Sequence, residues 1–397
     1  MQLNTEKKLY LLKLGELTLK GGNQREFVRM LLHNLATMLR GTGAQINNTD
    51  GRFYVNCAEE VSEKVEFVLN HLAGITGWAA AHKAEKNIDS VLCAIIEEAK
   101  LHFSKGARTF KIESRRTDKS FPLNSHQISC TAGDAVLKAI SELKVDIHKP
   151  DVTIYVEVRE KTYIYGAANT KQNGLRGLPV GTSGRGMLLL SGGIDSPVAG
   201  FLMALRGMKI NAVYFHSYPY TSNQARDKVI ELAKIVGAYT VGINLNIVSI
   251  TEIQQKIKER SAPEWSTIML RLAMMEIASA LAKIQKCKCL ITGESLSQVA
   301  SQTIENITCT ESRAALPVLR PLIGLDKEAI TKIARRIGTY ETSILPFADC
   351  CVLFSPPHPV LRGNVEEANK IYDEIGLPDL IEEAVASKTK IKCGFYE

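Results

Sequence analysis

Met187-Leu-Leu-Leu-Ser-Gly-Gly-Ile-Asp-Ser-Pro-Val-Ala-Gly-Phe-Leu-Met-Ala-Leu-Arg206 decides how this chain is read. Met187 to Leu190 is a short unbroken apolar run, the pattern of a strand covered on both faces in a parallel sheet. Pro197 to Arg206 reads as a helix with Pro in its first turn. Between them stands Ser191-Gly-Gly-Ile-Asp-Ser196. Strand, small-residue turn and helix N-terminus, in that order, present backbone N–H groups and a positive helix end to an anion. The glycines allow close backbone approach, and the hydroxyls of Ser191 and Ser196 add donors. Two glycines alone would suit an ordinary tight turn. No Lys follows them, so the run is not a GxxxxGK[ST] loop.

At 397 residues the chain has room for two or three domains and a large core. A hydrophobic content of 45% fits a globular protein. No apolar run approaches the roughly 18 residues of a membrane span. Met1-Gln-Leu-Asn-Thr-Glu-Lys-Lys8 is not a signal-peptide start, so no membrane and a cytoplasmic location are expected. Nine cysteines in a chain of this length are no disulfide framework and should be mostly reduced. The net charge of +7 permits a nucleic-acid partner without demanding one.

The first half alternates strands and helices: strand 9–17, helix 23–39, strand 53–56, helix 59–72, compatible with a ferredoxin-like start. A second block follows: helix 90–103, strand 109–114, helix 126–143, strands 152–159 and 162–167. Residues 173–186 are glycine-rich and mark a boundary. Beyond it βα units recur: strand 187–190, helix 197–206, strand 210–215, helix 222–236, strand 239–243, helix 266–284 and strand 289–292. That rhythm predicts a doubly wound parallel sheet, with the anion loop at the carboxyl end of its first strand. The tail, 363–388, reads as helical.

Residues 1–180 hold 25 Lys and Arg against 20 Asp and Glu. Within them Lys111, Arg115, Arg116 and Lys119 cluster, and Lys20 and Arg25 flank the Gly21-Gly22-Asn23 turn. These six are candidate RNA-phosphate contacts, though charge alone also describes a solvated surface. Tyr214-Phe215-His216-Ser217 closes the second strand of the later sheet, where ligands of such folds bind. Arg271, on a helix over 268–282, has the reach for a phosphate or is a surface charge. Gly293 follows a strand end, and Gln298 and Gln302 are expected four apart on one helical face. In Asp349-Cys350-Cys351, prolines on both sides (Pro346, Pro356, Pro357, Pro359) mark a loop. A loop cysteine is a candidate nucleophile or sulfur carrier, and buried packing is the alternative. Cys287 and Cys289 are too close to argue for a metal pair, and no metal-ligand set is assigned.

Ser191-Gly-Gly-Ile-Asp-Ser196 resembles the PP-loop, SGGxDS, of the ATP pyrophosphatases. The chain as a whole resembles the tRNA 4-thiouridine synthetase (tRNA sulfurtransferase) family. Besides the PP-loop, the resemblance rests on Gly15-Glu-Leu-Thr-Leu-Lys-Gly-Gly-Asn23, Leu178-Pro-Val-Gly-Thr-Ser-Gly-Arg-Gly186, Thr292-Gly-Glu-Ser-Leu-Ser-Gln-Val-Ala-Ser-Gln-Thr303, Leu319-Arg-Pro-Leu322 and Asp349-Cys350-Cys351. It implies an α/β chain with a ferredoxin-like domain at 1–60, a THUMP RNA-binding domain at 61–170, a linker at 171–186 and a PP-loop ATP pyrophosphatase domain at 187–397. ATP contacts carried over by position are Leu189, Leu190, Ser191, Gly192, Gly193, Asp195, Ser196, Tyr214, Phe215, Arg271, Gly293 and Gln302. Cys351 matches the family's essential cysteine better than Cys350 does.

The implied reaction adenylates uridine-8 of tRNA with ATP and Mg²⁺, then replaces O4 with persulfide sulfur. Asp195, Cys351 and Cys350 take the catalytic roles, a cysteine desulfurase is the upstream partner, and a homodimer is left open. Many relatives carry a C-terminal rhodanese domain, absent here. The sulfur carrier is therefore expected to be Cys351, Cys350 or a separate protein, and the family's second role in thiamine thiazole synthesis loses its usual support. Two rival readings are a PP-loop ligase or amidotransferase acting on a small molecule, and a non-catalytic tRNA-binding protein.

Overall fold

The computed structural model describes residues 7–19, 21–49, 52–168, 174–347 and 356–394. The chain divides into two compact units: Met1–Leu19 with Leu35–Arg176, and Lys20–Asn34 with Gly177–Glu397.

The first unit is built on an eight-stranded sheet of order β2-β3-β1-β4-β8-β7-β5-β6. Its early part contains β1 (Lys7–Leu14), β2 (Gln45–Thr49), β3 (Arg52–Ala58) and β4 (Ile75–Ala84), with helices α1 (Gln24–Met38) and α2 (Ser62–His71) between them in the chain. This is the βαββαβ order of a ferredoxin-like unit. The expected strand over 9–17 stops at Leu14, and Glu16–Leu19 coils into a 3₁₀ turn. Strands β2 and β4 were not expected. β2 is Gln-Ile-Asn-Asn-Thr and β4 is alanine-rich, so neither shows the β-branched pattern that marks strands.

The later part carries α3 (Ile88–Ser104), β5 (Thr109–Arg116), α4 (Ser125–Ala139), β6 (Lys144–Val145), β7 (Val152–Val158) and β8 (Thr162–Ala168). Strand β7 pairs parallel with β5 and antiparallel with β8, and β8 pairs with β4, which joins the two parts into one sheet. A capping box between Asn124 and Gln127 starts α4. The core beneath is Val91, Ile95, Phe110, Ile128, Val136, Ile154 and Val156, all buried.

A buried carboxylate ties α3 to this sheet. Glu98 accepts from Gly166 N–H at 2.7 Å and pairs with His82 and His102 at 3.0 Å each. Burial pushes its carboxyl up, but the hydrogen bonds from His102, His82 and Gly166 outweigh that and hold it at about 2.

The second unit contains a six-stranded sheet of order β13-β12-β9-β10-β11-β14. Its members are β9 (Arg185–Leu189), β10 (Lys209–His216), β11 (Ile243–Ser249), β12 (Cys289–Ile291), β13 (Val318–Leu319) and β14 (Thr389–Cys393). All neighbours are parallel except the β11–β14 edge. From β9 the chain builds outward to β10 and β11, then returns to place β12 and β13 on the other side. The strand order therefore reverses at β9, and a crevice opens at its carboxyl end.

Helices α5 (Asp195–Leu205), α6 (Asn223–Tyr239), α7 (Thr251–Arg260), α8 (Ser266–Ile284), α9 (Ile304–Glu311), α10 (Lys327–Arg336) and α11 (Tyr340–Ser343) intervene, and Val365–Ile375 and Pro378–Ala386 close the unit. Helix α8 is apolar nearly all round and central to the core, with Ile268, Met269, Leu272, Ile277 and Leu281 buried. Residues 20–34, most of α1, belong here. Asn34 donates to the Val180 carbonyl at 2.8 Å, and a Cβ on Gly181 would touch the Met30 side chain.

Strand β11 corrects the expectation of 239–243. Helix α6 runs on to Tyr239, and Val241 (φ 56°) and Gly242 (φ 83°) form a left-handed turn before the strand begins at Ile243. The tail ends in β14 rather than in helix throughout. Among the described residues no helix is long and apolar enough to cross a membrane.

The Glu98 cluster fixes a pH dependence. The His82 pKa is raised above its ordinary 6.5, chiefly by the hydrogen bond it donates to Glu98. A raised folded pKa gives stability that is complete below the unfolded value and is lost as pH rises through the folded one. Thermal melts of the whole protein should therefore show a fall in the first unit's stability above about pH 6.5. Glu98→Gln should flatten that slope and cost about 2 kcal/mol at pH 6 through the lost charged hydrogen bonds. Parallel slopes in the two proteins would show that the histidine pairing contributes nothing.

Candidate nucleotide site

The Ser191–Ser196 loop leaves β9 and enters α5. Three hydrogen bonds close it on itself: Ser191 N–H donates to Ser196 Oγ at 2.9 Å, the two hydroxyls lie 3.0 Å apart, and Gly193 N–H donates to Ser191 Oγ at 3.3 Å. No side chain caps the N-terminus of α5. An uncapped helix start of this kind offers its first-turn N–H groups to an anion. Gly293 explains why this loop and the end of β12 can meet: a Cβ there would lie 2.7 Å from Ser196 N and 2.8 Å from the Asp195 carbonyl carbon. Any side chain would push the β12 loop off the start of α5.

A cavity of about 260 Å³ opens at this point. Every predicted nucleotide contact except Gly192 lines it: Leu189 and Leu190 from β9, Ser191, Gly193, Asp195 and Ser196 from the loop, Tyr214 and Phe215 from β10, Arg271 from α8, then Gly293 and Gln302. Met274 and Met275 extend its apolar wall. Gln302 is buried, and its Oε1 has no hydrogen-bond partner. Arg271 Nε is likewise buried and unpaired. An apolar slot, two unspent polar atoms and an uncapped helix start together fit a purine nucleotide with its phosphates.

Gln298 and Gln302 do not share a helical face. Gln298 sits in a turn after Ser297 (φ 59°), and Gln302 ends the 3₁₀ turn Ala300–Gln302. The local chain is too irregular for helical spacing, yet both side chains reach the site. Gln298 Nε2 donates to Asp195 Oδ2 at 2.9 Å. The other Asp195 oxygen pairs with Lys327 Nζ at 2.6 Å.

Arg271 is neither a surface charge nor a free one. It forms an ion pair with Glu294, whose second oxygen accepts from Arg320 Nε at 2.8 Å and from Thr292 Oγ1 at 2.8 Å. Burial pushes the Glu294 carboxyl up. The charges of Arg271 and Arg320, with the hydrogen bonds from Thr292 and Arg320, outweigh it and hold the group below the usual carboxylate range.

Lys327, Lys228 and Ser343 escaped the sequence reading. Lys327 lies 132 residues from Asp195 and carried no local signal. Lys228, 7% exposed on α6, donates to the Leu345 carbonyl at 2.9 Å and the Phe347 carbonyl at 3.4 Å. Ser343 donates to the Gly193 carbonyl at 3.2 Å. Together Ser343 and Lys228 fasten the chain leading towards Asp349 to the loop and to α6. Asp349, Cys350 and Cys351 lie outside the described residues, as does Lys20.

Arg25, Arg115 and Lys119 are exposed, whereas Arg116 Nη1 donates to the Phe121 carbonyl at 2.9 Å and Lys111 lies 3.8 Å from Glu113. Burial drives the Cys287 thiol up to about 11, and raises Cys289 and Cys309, so these three stay protonated and unreactive near neutral pH. Among the described residues no group of three or more His, Cys, Asp or Glu side chains is arranged to hold a metal ion.

The chain matches the family model described as thiamine biosynthesis protein (ThiI) over residues 181–377, a THUMP domain over 85–166 and the ThiI ferredoxin-like domain over 9–79. It is 47% identical over 386 residues to a probable tRNA sulfurtransferase of Treponema pallidum, covering 96% of this chain and 95% of that one. It is 44% identical over 383 residues to a probable tRNA sulfurtransferase of Caldanaerobacter subterraneus, covering 96% and 99%. Its fold matches the crystal structure of a 4-thiouridine synthetase–RNA complex with bound ATP at a TM-score of 0.90 and 35% identity, over 98% of this chain and all of that one. A protein of Pyrococcus horikoshii shares the fold alone, at a TM-score of 0.63 and 23% identity, over 83% of this chain and 99% of that one. The chain belongs to the tRNA sulfurtransferase family, as its motifs suggested.

Two outcomes follow from this geometry. Glu294→Gln removes the charge that holds two arginines, and should cost about 3 kcal/mol of stability while weakening nucleotide binding, read by melting and by titration calorimetry with ATP. Lys228→Met should leave ATP binding unchanged and lower the overall turnover about ten-fold or more. A Lys228→Met protein with native turnover would show that this clamp is idle.

Proposed function

We propose that this protein is a cytoplasmic, ATP-dependent tRNA sulfurtransferase that converts uridine-8 of tRNA to 4-thiouridine, with sulfur delivered as a persulfide by a cysteine desulfurase. The observation that carries the reading is the single cavity that gathers all but one of the expected nucleotide contacts around an uncapped helix start. Support for tRNA and for ATP comes from the family and from the likeness to a synthetase crystallised with both RNA and ATP.

The chemistry that ATP supplies is activation: uridine O4 displaces pyrophosphate from the α-phosphate, so that O4 later departs with AMP. The residues prepare for it. Loop N–H groups and the α5 N-terminus stabilise phosphate charge without reorganising. Leu189, Phe215, Met274 and Met275 offer an apolar slot for the base, and Gln302 Oε1 an acceptor for its amino group. Arg271 Nε is the cation-borne donor left over for a phosphate.

Asp195, held by Lys327 and Gln298, orients the loop. Mg²⁺ needs few protein ligands and travels with phosphates, so Asp195 is the carboxylate in this cavity suited to meet it. Sulfur enters through Cys351: the terminal sulfur of its persulfide attacks C4, AMP leaves with O4, and a second thiol then attacks the Cys351 sulfur. That last step frees 4-thiouridine and leaves a disulfide to be reduced. Exposed Arg25, Arg115 and Lys119 remain the candidate phosphate contacts for tRNA.

The test is to incubate the protein with unmodified tRNA, Mg-ATP, cysteine and a cysteine desulfurase, then look for 4-thiouridine in the digested RNA by mass spectrometry. Asp195→Ala should lower tRNA-dependent pyrophosphate release about 100-fold or more while tRNA still binds. Cys351→Ser should stop thiolation yet keep ATP-dependent activation, and Cys350→Ser should be milder. If Cys350→Ser is the dead variant, the sulfur carrier is Cys350 instead.

A further inference from the structure

The nucleotide site leaves a second cavity of the same unit unused. It encloses about 470 Å³ and is lined by Ile257 and Gln254 of α7, Leu270 of α8, Tyr220 beyond the end of β10, and Pro357. Lys258 also lines it and is exposed. It lies at the carboxyl edge of the sheet, as the nucleotide cavity does. The two share elements: Leu270 precedes Arg271 on α8, and Tyr220 follows Phe215 by five residues. Pro357 lies six residues beyond Cys351 in sequence.

Gln254 is the anomaly here. It is 3% exposed, and neither its Nε2 nor its Oε1 has a hydrogen-bond partner. A buried amide with both ends unsatisfied subtracts from stability, and a leucine of similar shape would pack there without that cost. Its neighbours are well held: Gln255 Nε2 meets Tyr220 Oη at 3.4 Å, and Thr251 Oγ1 donates to the Tyr218 carbonyl at 2.9 Å. The unsatisfied amide is therefore a local feature of this cavity and not a symptom of loose packing around α7.

We propose that this cavity receives the target uracil ring, and that Gln254 reads it. The inference rests on the sulfurtransferase reading above. An amide presents one donor and one acceptor side by side, which match uracil O2 and N3–H. That pairing leaves O4, the atom that must react, unengaged. Ile257, Leu270 and Pro357 supply the apolar walls that an unstacked base needs, Tyr220 a face for stacking, and Lys258 a cation for a flanking phosphate.

The experiment uses the full chain with a tRNA transcript. Gln254→Leu should lower tRNA-dependent pyrophosphate release about 100-fold, with ATP and tRNA affinities unchanged and a melting temperature equal to or above that of the unaltered protein. A merely structural glutamine would give the opposite, a lower melting temperature with turnover kept, and turnover at the native rate in Gln254→Leu overturns the proposal. A second readout needs no turnover: a transcript with 5-iodouridine at the target position, irradiated on the unaltered protein, should cross-link to a peptide containing Tyr220 or residues 254–270. Cross-links confined to other peptides also overturn it. Should the unaltered protein make no 4-thiouridine yet cross-link here, the sulfurtransferase reading falls and the base site stands.

Discussion

Glu294 carries a full negative charge into a place that water hardly reaches, and the nucleotide cavity is organised by what that charge requires. A lone buried carboxylate would protonate or unfold its surroundings. Here Arg271 comes from α8 and Arg320 from just beyond β13, and both converge on the end of β12. Three separate elements are thereby fixed to one carboxylate. Arg271 spends part of its fork on Glu294 and reaches Ser301 Oγ at 3.3 Å, while its Nε stays buried and unpaired. Protein groups alone orient the arginine, and preorganisation of this kind makes charge stabilisation effective in a dry site.

The second requirement is steric. The strand order reverses between β9 and β12, so the loops after these two strands diverge and leave a crevice. Gly293 lets one loop touch the other at the helix start. Two cavities draw on α8: one holds the Ser191–Ser196 loop, Arg271 and Gln302, and the other carries an unsatisfied amide.

Much of this was legible in the chain. Helix 266–284 was read to the residue because its apolar run is long, and the 187–206 strand–loop–helix because small residues interrupt two apolar runs. The expected nucleotide contacts, carried over by position from the family resemblance, line one cavity apart from Gly192. Strand β11 was misplaced because Tyr239 looks like a strand residue, and only the left-handed Val241 shows where the helix gives way. Strands β2 and β4 hid behind polar and alanine-rich sequence that only pairing with neighbours makes extended. Lys327 and Lys228 were invisible because their partners lie more than a hundred residues away.

The path of α1 bears on how the molecule is made. Residues 20–34 leave the ribosome early, yet they belong with a unit whose remaining chain begins at Gly177, and the Asn34–Val180 hydrogen bond spans 146 residues. Domains usually mature in order as they are synthesised. In this chain the early helix must wait, with part of its surface unmatched, until the later unit emerges. The first unit is therefore interrupted by a segment on loan to the second, and a cut at the glycine-rich linker would separate pieces of neighbouring sequence without separating the folds.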